Sequence, residues 1–174
     1  MTTPVTKEFI AQSIYRIEES THRILKCLQE IDETETWKSP NEKSNSIGNL
    51  ILHLCGNVRQ YAISALGEIK DGRERDKEFS TKTGPSKSVL LNDLTRTISE
   101  AVEIFRNIDE SRLMKTYSVQ GYNLSGIGII IHVTEHYSYH TGQIAFWTKQ
   151  IKNKDLGFYT GIDLNVRNKG NNRQ

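Results

Sequence analysis

Among 174 residues there are two cysteines, three prolines, and acidic and basic residues in near balance. Cys27 and Cys55 make no disulfide framework, and nothing in their spacing pairs them. With 23 basic and 21 acidic side chains the net charge is +2, so the global electrostatic footprint of a nucleic-acid binder is missing. A little clustering of Arg167, Lys169 and Arg173 near the C-terminus reads as a solvated polar end. The longest apolar run, residues 127–133, is broken by Gly128 and His132 and is far too short to span a bilayer. The N-terminus lacks the basic-then-apolar pattern of a secretory signal, and a cytoplasmic protein in a reducing compartment is expected. No glycine-rich phosphate loop, carboxylate pair, or serine or cysteine nucleophile constellation presents itself.

What is present is helical periodicity. The length suits one domain over residues 1–174, with a bundle over about 7–152 and a tail of little regular structure over 153–174. Ile10, Ile14, Ile17, Thr21, Ile24, Leu28 and Ile31 recur at three- and four-residue steps and predict a first helix from about Lys7. A polar stretch, 32–45, ends it. Ser46 is the expected N-cap of a second helix running to about Leu66, with Ile47, Leu50, Leu54, Val58, Tyr61 and Ala65 inward. Residues 70–86 are charged, contain Gly72, Gly84 and Pro85, and read as a long loop, the kind that serves as a lid, a binding element or nothing ordered. A third helix is expected from Ser88 to about Asn107, a short extended piece or hairpin over 116–122, and a fourth helix capped by Ser125 and reaching Lys152. The fold class is therefore all-α, a four-helix bundle with its topology open.

Three of five histidines lie in His132-Val-Thr-Glu-His136-Tyr-Ser-Tyr-His140. At about 100° per residue, Ile129, Val133, His136, His140, Ile144, Trp147 and Ile151 share a sector of roughly 60°. Two imidazoles thus sit mid-stripe, one turn apart. Burying both without partners costs on the order of a few kcal/mol, which a divalent metal relieves by using their lone pairs. The competing reading is two core histidines bonded to tyrosine or backbone. A third ligand is sought among few candidates. His53 lies at the edge of the second helix's apolar stripe, with Asn57 one turn on to orient it or a bound water. His22 falls among charged residues and reads as surface, and Cys27 as off the core line. Cys55 is roughly 200° around the helix from His53 and cannot share its site. His132 reads as an outer partner or substrate-facing group, or as plain packing. Three protein ligands leave a position open for water or substrate.

The stretches Ser46-Ile-Gly-Asn-Leu-Ile-Leu-His53-Leu-Cys-Gly-Asn57 and His132-Val-Thr-Glu-His136-Tyr-Ser-Tyr-His140-Thr-Gly-Gln143-Ile144 resemble the DinB superfamily, over nearly the whole chain. The resemblance implies a four-helix bundle with one long crossover, commonly a homodimer, and a metal held by His53, His136 and His140. It also implies kinship with thiol-dependent transferases and isomerases, and with many relatives of no known activity. Thr141 stands where many relatives carry an arginine suited to an anionic thiol cofactor or substrate. Expectations follow: one divalent transition metal (zinc, with nickel or iron as alternatives), a low-molecular-weight thiol or other small-molecule ligand, a homodimer supported by Tyr137, Tyr139 and Phe146, and no nucleic-acid or membrane partner. Gln143 joins Asn57 and His132 as an outer or substrate-facing residue. Three uses stay open: an enzyme activating a thiol or water, a non-catalytic metal or ligand binder, and a structural, stress-related dimer.

Overall fold

The computed structural model describes residues 3–167. Helix α1 (Pro4–Glu30) begins with Pro4 in its first turn and with the Thr3 hydroxyl accepting from the Thr6 amide. The isoleucine stripe expected from the periodicity is buried, and Cys27 lies fully inside with it, a correction to its placement off the core line. A second, very short helix, α2 (Glu33–Thr36), is nucleated by a capping box between Asp32 and Glu35 inside the stretch read as polar connection.

Helix α3 (Ile47–Val58) opens with another capping box, Ser46 with Asn49. Its axis continues through a π-helical segment, Arg59–Leu66, in which amides reach back five residues: Gly67 to the Ala62 carbonyl and Ile69 to that of Ser64. The 70–86 connection is not irregular throughout, because it carries helix α4 (Arg75–Ser80). Helix α5 (Lys87–Asn107) follows behind the Ser86 cap, then a short helix α6 (Glu110–Met114) that hydrophobic periodicity was too brief to reveal. Strands β1 (Thr116–Val119) and β2 (Tyr122–Ser125) form the antiparallel hairpin, Val119 opposite Tyr122. Gln120 and Gly121 turn it with positive φ at both positions, as a two-residue hairpin loop demands. Helix α7 (Gly126–Lys152) runs from the Ser125 cap to a left-handed Asn153.

The long helices pack as a ring: α1 against α7 and α5, and α3 against α5 and α7. Chain neighbours α1 and α3 thus stand diagonally, as do α5 and α7, which is why the connections between them are long. The core between them is apolar and contains Tyr61, Tyr137 and Phe105 among its largest buried side chains. Tyr137, offered above as a dimer contact, belongs instead to this interior. Its hydroxyl meets Thr21 Oγ1 at 2.9 Å, and since Thr21 gives its proton to the Ile17 carbonyl, Tyr137 is the donor. In the tail, Leu156 is buried and Lys26 Nζ donates to the Gly157 carbonyl at 3.0 Å. Arg167 is exposed, while Lys169 and Arg173 lie outside the described residues. Among the described residues no helix is long and apolar enough to cross a membrane.

Candidate metal centre

Where α3 and α7 pack together, His53 faces His136 and His140 from across the helix pair. The three side chains each offer a ring nitrogen within 4.8 Å of the others. His53 and His140 are buried (6% and 8% exposed) and His136 is partly so. His53 Nε2 lies 2.9 Å from His136 Nε2, so these nitrogens point inward. At the opposite edge of the His140 ring, Nδ1 donates to Gln143 Oε1 at 2.7 Å, which turns its Nε2 toward the same spot.

The far side of His53 is occupied by a pair that no sequence motif signalled. Its Nδ1 is 2.9 Å from Glu78 Oε2 and 3.1 Å from Arg73 Nη2. Only one of these is a hydrogen bond in any one tautomer. Arg73 already donates to the same carboxylate, Nε to Oε1 at 2.7 Å and Nη2 to Oε2 at 2.9 Å, so Nδ1–H facing Glu78 satisfies every atom. Both residues come from the segment read as a loop. It is held to α3 by Asn49, whose amide donates to the carbonyls of Glu78 and Thr81, and by Phe79, whose ring packs on His53 at 4.8 Å. Gly56 makes room: a Cβ there would run into Glu78 Oε1 and crowd Arg73 Nε.

Protonation does not hold the cluster together. Burial, then the neighbouring rings of His140, His53 and His132, push His136 down to about 3, and burial also lowers His140 despite its bond to Gln143. Burial by itself raises Glu78, yet the bonds from Arg73 and His53 more than offset it and the carboxyl sits below its ordinary range. Near neutral pH His136 and His140 are therefore neutral imidazoles, and with His53 they turn ring nitrogens toward one another beside the paired Arg73 and Glu78. The donor set fits a divalent transition ion. Tetrahedral zinc with Zn–N near 2.0–2.1 Å separates its ligand nitrogens by roughly 3.3 Å, a few tenths beyond the His53–His136 spacing.

The remaining candidates are placed as follows. His132 stacks between Tyr61 (ring centroids 4.1 Å apart) and His136 (5.3 Å) and takes a hydrogen bond from Asn57 Nδ2 at 3.2 Å; Asn57 Oδ1 is buried with no partner among the described residues. Asn57 thus contacts His132 rather than His53. His22 is exposed. Thr141 is buried, its hydroxyl spent on the Tyr137 carbonyl. Burial pushes the Cys27 thiol up to about 11 and that of Cys55 to about 12, so neither is a ready thiolate. A cavity of about 630 Å³ opens beside the cluster, with His53 and His136 on one wall and Arg75, Gln120, Tyr122 and His132 on others.

Solved structures with this architecture are found at low identity. A conserved protein from Enterococcus faecalis superposes with a TM-score of 0.71 at 14% identity, covering 88% of this chain and 99% of that one. A DinB-like protein from Bacillus cereus gives 0.66 at 15% identity, covering 83% and 91%. Another DinB-like protein, from Bacillus subtilis, gives 0.64 at 17% identity, covering 83% and 94%. At such identities the likeness speaks for the fold, and the fold is DinB-like: a helical bundle that here buries a three-histidine cluster. Residues 4–161 match the family described as "Protein of unknown function (DUF1572)", and the chain belongs to that family. No curated protein matches it.

Proposed function

We propose that this protein holds one divalent transition-metal ion through the Nε2 atoms of His53, His136 and His140, and uses it to bind and activate a small molecule entering from the adjoining cavity. The observation that carries the reading is the convergence of three imidazoles on one point, two of them with Nδ1 tied to Glu78 and Gln143. Imidazole donors suit zinc, nickel and iron, with zinc the first choice. Bound at an open three-histidine site, such an ion lowers the pKa of a coordinated thiol or water toward neutrality. The chain's own residues supply the rest: His136 and His140 remain unprotonated at neutral pH, and Tyr122, Gln120 and Arg75 line the approach. A thiol-dependent transferase acting on a small electrophile in the cytoplasm is the activity this arrangement supports best. Elemental analysis of protein purified without a metal-affinity step should find about one such ion per chain. Protein that contains none and takes up none at neutral pH overturns the reading. Turnover of an electrophile by the metal-loaded protein with a low-molecular-weight thiol then tests the activity.

We further propose a homodimer. On α7, Tyr139 and Phe146 are 62% and 65% exposed, large aromatic area that the core does not use.

A further inference from the structure

We infer that Glu78 is the positioning residue of the cluster: it holds His53 as the Nδ1–H tautomer, with the Nε2 lone pair aimed at His136 and His140. The inference rests on the metal reading above for its consequence, not for its geometry. Three observations support it. The carboxylate sits on Nδ1 while Nε2 faces the other rings, so Glu78 acts from behind and is itself no ligand. It is buried and oriented from two sides, by Arg73 through both carboxylate oxygens and by Asn49 through the Glu78 carbonyl. Finally, α3 carries a glycine, Gly56, at the point where any side chain would displace it.

A carboxylate behind an imidazole fixes the ring's tautomer and raises its basicity as a ligand, and such partners are worth 10- to 100-fold in metal affinity. The alternative is that Glu78 merely fastens α4 to α3 through Arg73. Arg73 orients the carboxylate in both cases, but the two roles separate because only the first needs an acceptor on Nδ1.

The experiment uses the full chain, with ¹⁵N-imidazole NMR of the metal-free protein and zinc titration. In the wild type His53 should show Nδ1 protonated and Nε2 unprotonated. Glu78→Ala should lose that preference and bind zinc about 100-fold more weakly; Glu78→Gln, able to accept from Nδ1–H but uncharged, should lose about 10-fold. Arg73→Gln should lower thermal stability, keep the tautomer and loosen zinc much less than Glu78→Ala does, because Nδ1–H still faces the carboxylate. The double variant Arg73→Gln/Glu78→Gln, which leaves no unpaired buried charge, should remain as weak as Glu78→Gln. Wild-type protein that binds no zinc yet shows the Nδ1–H tautomer sinks the metal reading and leaves the positioning role standing. An Nε2–H tautomer in the wild type overturns the inference. So does zinc affinity unchanged in Glu78→Ala, or lost equally in Arg73→Gln.

Discussion

For His53 and His140 the inward nitrogen is chosen by what holds the outward one, and this makes single substitutions informative. Replacing His53, His136 or His140 by Ala should weaken metal binding by more than about 100-fold, beyond the range for an outer partner. His22→Ala should change nothing, since that ring is exposed and remote. His132→Ala should keep the metal but loosen it by about 10- to 100-fold through its stacking on His136. Isothermal titration across the five variants orders them; metal lost with His132→Ala and kept with His140→Ala would reverse the α7 assignment. The pH dependence follows from burial. His136 titrates well below the ordinary value near 6.5, so protons compete with metal only in more acidic solution than they would for free imidazole. The same depression destabilises the metal-free fold in acid: the penalty is absent above about pH 6.5 and grows as pH falls toward 3. Thermal melts of metal-free protein should decline over that window, and His136→Gln should flatten the decline. Tyr137→Phe removes one buried hydrogen bond while Thr21 keeps its bond to Ile17, so it should cost about 1 kcal/mol, a melting shift of roughly 2–4 °C.

At the scale of elements, α3 and α7 bring the ligands together and α4 completes the surroundings. The ligand pair on α7 was legible because His136 and His140 interrupt an otherwise apolar stripe. The α4 contribution was not, since Glu78 and Arg73 stand in a charged stretch where nothing distinguishes them from Glu74, Arg75 or Lys77. Their selection depends on docking: Asn49 receives the α4 C-terminal turn and Gly56 leaves the space. Gly56→Ala should therefore act at a distance, displacing Glu78 and Arg73 from His53. Although alanine favours helix over glycine by roughly 0.8–1.0 kcal/mol, stability should fall and zinc affinity drop with it. Limited trypsinolysis at Lys70 to Lys82 should quicken in that variant; a stabilised protein with unchanged cleavage would show that the segment tolerates the methyl group.

Across the whole molecule the connections do structural and chemical duty at once. The connection from α3 to α5 covers the histidines, and the hairpin before α7 places Gln120 where it accepts from the Tyr61 hydroxyl at 2.8 Å beside the cavity. With Tyr137 assigned to the interior, the proposed dimer rests on Tyr139 and Phe146. Light scattering should give twice the 19.9 kDa chain mass at micromolar concentration, and Phe146→Glu should shift it toward monomer. A monomer throughout would leave those aromatics to another use.

Helix identity, caps and the α7 histidine pair were determined by local sequence. Ser46, Ser86 and Ser125 satisfy amides within three residues, and hydrophobic repeats report which face is buried without reference to any partner. Cys27 shows the limit: a position beside the stripe became core because α7 packs closely on α1, and a wheel drawn for one helix carries no information about how wide its covering will be. Glu78 shows it more sharply. A carboxylate 25 residues from His53 acquires its role only when the fold buries the two together, because distance in space and exclusion of water decide which of many charged side chains meets the ring.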